Sequence, residues 1–188
     1  MKFTAIIVAL ATVAFADHDM TVSTDVARDA TVAYNGFQNS DGTFDALVPK
    51  GLKDTLVTFK GNRDYERVLL GFDMPKMIKD PSQITNCVLH VPTPKDAPTT
   101  SYTLTAFTAS SNWDEATVNA QTQITSIRML GSVSVSGNGD KPGDIDITGA
   151  CQAAAEGKFS LLLDTSGPLV SFNSLQAGMD MFSVDITY

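Results

Sequence analysis

Residues 67–75, RVLLGFDMP, decide how the rest of the chain is read. Side chains of a strand alternate between two faces, so Val68, Leu70 and Phe72 share one face. Phe72 has the apolar area to anchor a sandwich core. Asp73 is placed to accept backbone N–H bonds where the strand ends, and Pro75 stops further pairing. Nothing in the run is a nucleophile. It reads as core and corner, and not as a ligand site.

The same period of two recurs on both sides of this stretch. Thr31–Tyr34, Thr55–Lys60, Tyr65–Phe72, Ile84–Val91 and Tyr102–Thr108 alternate, and Gly, Pro, Asn or Asp punctuate them. Arg128–Val135, Asp144–Ile147, Phe159–Leu163, Leu169–Phe172 and Phe182–Tyr188 complete about ten strands. The expected fold is all-β, an antiparallel β-sandwich (jelly roll) with one or two short helices. The helical candidates are residues 112–117, with Asn112 as cap, and residues 148–156, with Thr148 as cap and Gly157 as stop. A Pro-rich loop (residues 92–100) and a Gly-rich loop (residues 136–143) separate strands. Without repeats, heptads or a linker, one domain is the economical reading.

The first 16 residues, MKFTAIIVALATVAFA, combine one lysine, an apolar run and a small-x-small close at Ala14-Phe15-Ala16. That is the pattern of a secretory signal peptide. Residues 17–188 are then the single sandwich domain, expected to be secreted to the extracellular space or cell wall. The apolar run is shorter than the roughly 20 residues a membrane span needs, so no membrane partner is expected. The chain carries a net charge of −8, which becomes −9 without Lys2. Residues 50–80 are the exception, with seven bases against five acids. An acidic protein lacks the basic face that nucleic acid requires, so no nucleic-acid partner is expected, and a monomer is. No Asn-x-Ser/Thr sequon occurs. Cys87 and Cys151 are the two cysteines. In an oxidising compartment they are expected to form one disulfide, the alternative being two buried thiols.

Catalytic chemistry is hard to assemble from these residues. His18 lies beside the expected new N-terminus. His90 alternates with the apolar set Cys87, Leu89 and Val91, so it reads as a solvent-facing strand residue. Nucleophile, zinc-protease, Cys-x-x-Cys and P-loop spacings do not occur. Carboxylate pairs remain: Asp64/Glu66, Asp114/Glu115 and Asp144/Asp146. Glycosidases need two such acids across a sugar bond. Asp114 and Glu115 also suit the start of a helical turn. Asp144 and Asp146 share a strand face and have the oxygen chemistry for a structural Ca2+, the alternative being a solvated face beside a loop.

Taken together, residues 29–188 resemble the DNRLRE-type domains, many of them classed as carbohydrate-binding module family 96. The resemblance is carried in order by Asp29-Ala-Thr-Val32, by Glu66–Pro75, which is similar to an Arg-x-Leu-Leu-x-Phe-Asp-Leu signature, and by Ile84–Val91. Tyr102–Ala106, Asn112–Val118, Asp146–Thr148, Lys158–Leu163 and Ser171–Ala177 follow. It implies a jelly roll that binds polysaccharide and does not catalyse. Two departures stand out: Gly71 and the pair Leu175-Gln176 occupy positions where the family often has Arg and Arg-Glu. The implied ligand is a cell-wall or matrix polysaccharide. Lys60, Arg63, Tyr65 and Arg67, within a run that also holds Lys50 and Lys53, are the expected ligand-binding residues: cations to donate hydrogen bonds and a ring to stack on a sugar. The other reading of that run is a solvated strand pair. Trp113 reads as a plug over the sandwich end. The alternative function is a secreted structural or host-interaction protein on the same fold without sugar binding.

Overall fold

The computed structural model describes residues 19–188, apart from the side chains of residues 126 and 127. The expected signal peptide lies outside the described residues. Among the described residues ten strands form, all paired antiparallel: β1 (Thr21–Tyr34), β2 (Thr55–Lys60), β3 (Tyr65–Asp73), β4 (Asn86–His90), β5 (Tyr102–Ala109), β6 (Ser126–Val135), β7 (Ile145–Asp146), β8 (Lys158–Thr165), β9 (Val170–Asn173) and β10 (Ser183–Thr187). Their hydrogen-bonded order is β6-β5-β8-β3-β1-β10-β4-β7, with β2 bridging β3 and β9.

The sandwich arises because β1 serves two sheets. Thr21–Asp25 pair with β10, and Val26–Tyr34 pair with β3 after a bulge between Val26 and Arg28. A bulge bends a strand and raises its twist, so β1 turns the corner from β7-β4-β10 to β3-β8-β5-β6. The chain alternates between the two layers, from β3 to β4 and back to β5, and from β8 through β9 to β10. This is jelly-roll connectivity. At the far side β6 approaches β7: a Cβ on Gly131 would stand 2.9 Å from the Asp146 carbonyl oxygen.

The core lies between the layers, as the opening stretch predicts. Val68, Leu70 and Phe72 of β3 are fully buried with Leu161, Leu163, Leu89, Val184 and Phe172. Burying each such side chain contributes about 1.5–3 kcal/mol. Phe72 stacks on Phe159 with ring centroids 5.1 Å apart. Cys87 and Cys151 form a disulfide inside this core, joining β4 to the short helix.

β3 is buried on its other face too. Leu69 joins Ala30, Val32, Leu162, Trp113 and Val118 in a second cluster, outside the β1-β3-β8 sheet. Trp113 is therefore a plug, but it covers the outer face of a sheet and not the end of the sandwich. Its Nε1 donates to Ser160 Oγ at 3.1 Å, and the Arg28 guanidinium lies 4.7 Å from its ring. Gly71 makes this possible: a Cβ there would meet Arg28 and Trp113 atoms at 3.0 Å.

The helices are shorter than expected. Among the described residues the one α-helix, α1, spans Thr148–Gln152, well before Gly157. Thr148 is the first helical residue and not the cap: Ile147 holds the N-cap position without a side-chain bond, and the Thr148 N–H and hydroxyl both donate to Asp146 Oδ1 (2.9 and 2.7 Å). Residues 112–117 form no helix; a single turn closes on Asp114, whose Oδ1 accepts the Ala116 N–H, so Asp114 and not Asn112 is the cap. Short 3-10 turns cover Asp45–Leu47, Pro81–Gln83 and Leu175–Ala177.

Candidate functional site

The outer face of the sheet β1-β3-β8-β5-β6 divides in two. Trp113 and its neighbours cover one half. The other half is open and follows from register. Val32 pairs with Arg67, and Thr105 pairs with both Asp164 and Ser132. One row further, Tyr34 pairs with Tyr65, and Thr103 with Ser134. Alternation sends these side chains away from the core, because Val68, Leu163 and Leu104 between them point inward.

An ion pair and an aromatic pair occupy this half. Arg67 Nη2 lies 3.2 Å from Asp164 Oδ2. The rings of Tyr34 and Tyr65 stack at 4.7 Å, and the Arg67 guanidinium sits 4.8 Å from the Tyr65 ring. Burial raises the Tyr34 hydroxyl pKa above its ordinary value, the neighbouring Tyr65 adds to the rise, and Arg67 opposes it. Beside them a groove of 360 Å³ is lined by Lys60, Thr103, Thr105, Phe107, Asp164, Thr165 and Ser166. Two polar atoms on this face are buried without a hydrogen-bond partner: Arg67 Nε and Asp164 Oδ1. Such atoms are costly unless something bonds them.

The four expected ligand residues do not all gather here. Lys60, Tyr65 and Arg67 do, since Lys60 pairs with Tyr65 in register. Arg63 lies in the exposed turn between β2 and β3. Tyr65 has its ring engaged by Tyr34 and Arg67, which leaves less of it for a sugar. Lys50 points its ammonium at Glu66 (2.7 Å) and Asp45 (2.9 Å). Burial pulls the Lys50 pKa down, but those hydrogen bonds outweigh it and hold the ammonium above its usual value. Tyr34, Asp164 and Thr105 escaped the sequence reading. They sit 31 residues and more from Tyr65, and only the sheet register brings them to it.

The other expected positions are otherwise engaged. Asp144 Oδ1 lies 3.0 Å from His90 Nδ1, and Asp185 Oδ2 lies 3.0 Å from His90 Nε2, on the outer face of the β4-β10 sheet. Hydrogen bonds to Asp144 and Asp185 raise the His90 pKa, against a small opposing effect of burial. Asp146 Oδ1 takes the backbone N–H and hydroxyl of Thr148, which holds its carboxyl below the usual range. The two aspartates named for Ca2+ are thus turned to different partners. Among the described residues, no three carboxylate, imidazole or thiol side chains gather in a metal-binding arrangement. Burial pushes Asp29 up to about 7; the Leu175 N–H opposes this and the nearby Glu115 charge reinforces it.

A second cavity, of 380 Å³, lies by α1. It is lined chiefly by alanines and serines, and its one ring, Phe159, is buried in the core. The face with stacked tyrosines and the Arg67–Asp164 pair is the better-equipped site for a polyhydroxylated ligand. Among the described residues no helix is long and apolar enough to cross a membrane. The model of carbohydrate-binding module family 96 matches residues 20–184, nearly the whole of the described chain. A search of curated proteins returned no match.

Proposed function

The chain belongs to carbohydrate-binding module family 96, and from that membership we propose that it is a secreted, non-catalytic binder of cell-wall or matrix polysaccharide, with the ligand on the open half of the β1-β3-β8-β5 face. The observation that carries this reading is the Arg67–Asp164 pair set between stacked tyrosines and threonine hydroxyls, with unpartnered polar atoms on both members of the pair. A guanidinium and a carboxylate side by side donate to and accept from neighbouring sugar hydroxyls. Tyr34 offers a ring for the apolar C–H face of a pyranose.

Binding without cleavage fits the donor set. Glycoside hydrolysis uses two carboxyl groups across one bond, and the groove has the single carboxylate Asp164 among its lining residues. Charge pairing also favours a hydroxyl-rich chain over a polyanion. Asp164 neutralises Arg67, and Asp45 with Glu66 neutralise Lys50. Gly71, where the resemblance leads one to expect Arg, is filled by the guanidinium of Arg28 from the neighbouring strand.

Affinity electrophoresis on neutral and charged polysaccharides tests the proposal. At least one neutral matrix should retard the protein. Arg67→Ala and Asp164→Ala should each weaken retention about tenfold or more, the equivalent of a charged hydrogen bond, while Arg63→Ala leaves it unchanged. Absence of retention on every polysaccharide would favour an interaction protein that keeps the fold without sugar binding. Release of sugar products would overturn the non-catalytic assignment.

A further inference from the structure

The open half of the sheet continues past the Arg67–Asp164 pair to its last strand. Thr105 pairs with Asp164 on one side and with Ser132 of β6 on the other. Thr103 pairs with Ser134, and their hydroxyls lie 3.4 Å apart. On its other side the Thr103 carbonyl accepts the Ser166 N–H and the Thr103 N–H donates to Ser166 Oγ, each at 2.9 Å. Leu104 and Val133, between these positions, pack on the core, so the hydroxyls of Thr103, Thr105, Ser132 and Ser134 stand on the outer face. Ser132 and Ser134 are exposed, and β6 is the last strand of the order on this side. Phe107 pairs with Met129, which is 55 % exposed, and the two give the hydroxyl rows an apolar flank.

Length and chemistry of this stretch set its ligand. Three strand spacings separate Arg67 on β3 from Ser132 on β6, about 14 Å in all. A pyranose ring is comparable in length to one spacing, so a single sugar fills only part of the row. From Thr105 to β6 the face offers hydroxyls, a ring and a thioether. Hydroxyls donate and accept, as sugar hydroxyls do, and give an anion no opposite charge. The Phe107–Met129 flank suits the C–H faces of pyranose rings. We propose that Thr103, Thr105, Ser132 and Ser134, flanked by Phe107 and Met129, form further sugar subsites, so that the face takes an extended neutral chain of about four units laid across the strands, one for each of β3, β8, β5 and β6. A lone terminal sugar would leave these subsites empty. The inference rests on the sugar-binding reading of the Arg67–Asp164 face and extends it to β6.

Calorimetric titration of the full chain with β-linked gluco-, xylo- and manno-oligosaccharides, from disaccharide to hexasaccharide and matched to the neutral polysaccharide gel that retards it, tests the span. Affinity should rise about tenfold or more from disaccharide to tetrasaccharide and level off beyond, since each added unit gains net hydrogen bonds only while it lies on the sheet. The double variant Ser132→Ala/Ser134→Ala changes two exposed positions and should melt as the parent does. It should bind the hexasaccharide about fivefold or more weakly and the disaccharide unchanged. A disaccharide that binds as tightly as the hexasaccharide would overturn the extended site and leave the Arg67–Asp164 site standing. So would a double variant that binds the hexasaccharide as the parent does. Retention on the gel without binding of the matching hexasaccharide would also overturn it. A chain that no polysaccharide retards and no oligosaccharide binds would remove both readings together.

Discussion

Replacing Trp113 by Ala separates a structural ring from a sugar-stacking one. The side chain is only 7 % exposed and packs with Leu69, Leu162 and Val118 over the sheet. Truncating a buried Trp to Ala costs about 3–5 kcal/mol. Here the loss also strands Ser160 Oγ, which is buried, and removes the ring under the Arg28 guanidinium. The upper half of that range, about 4–5 kcal/mol, is therefore expected. For a chain of this size each kcal/mol lowers the melting temperature by about 2–4 °C, so Trp113→Ala should melt about 10–15 °C lower. Trp113→Phe keeps the ring and loses the N–H, and should cost about 1–2 kcal/mol. Urea unfolding followed by circular dichroism measures both, since Trp113 is the chain's one tryptophan and its fluorescence disappears with it. A loss below about 1 kcal/mol in Trp113→Ala would refute the packing argument. Retention on polysaccharide gives the second readout. Trp113→Phe, assayed well below its melting point, should bind as the parent does. A folded Trp113→Phe that fails to bind would make the ring a ligand contact.

Three further outcomes are expected. The disulfide closes a loop with a sequence separation of 64; replacing Cys87 and Cys151 by Ser should cost about 4 kcal/mol through the freed unfolded chain, and an unchanged urea midpoint would contradict this. His90 has its folded pKa raised above 6.5 by Asp144 and Asp185, so the stability it contributes is complete below pH 6.5 and fades as pH rises through the folded value. The melting-temperature gap between parent and His90→Gln should shrink from pH 6 to pH 9; a constant gap would show that the imidazolium is not what these carboxylates stabilise. Gly51→Ala must push its turn off the Glu115 backbone, because the 2.0 Å approach is to a main-chain oxygen that no rotamer relieves. A destabilisation of about 3 kcal/mol or more is expected, and a neutral result by thermal unfolding would show that the two segments are not in contact.

Alternation along single strands was enough to read β2 to β10 to within a few residues, the inward set Val68, Leu70 and Phe72 and the outward turn of His90, while the shared order of several segments carried the family resemblance; of β1 it gave only Thr31–Tyr34, although that strand begins at Thr21 and its first residues pair with β10. Alternation is a local property, because the pleat repeats every two residues whatever lies alongside. Helices were less legible: residues 112–117 close a single turn on Asp114, and α1 starts at Thr148 with Ile147, and not Thr148, in the cap position, since where a short helix begins depends on where the preceding strand stops. What the linear chain could not hold was pairing across the sheet. Seven bases in residues 50–80 read as one basic patch, yet the fold sets Asp164 against Arg67 and Asp45 with Glu66 against Lys50. Tyr34 meets Tyr65, Gly71 admits Arg28 and Trp113, and Asp29 meets Glu115 and the Leu175 N–H only through the pairing of β1 with its neighbours. Register and strand order decide those meetings. They are set by the packing of the whole core, which no short stretch of sequence contains.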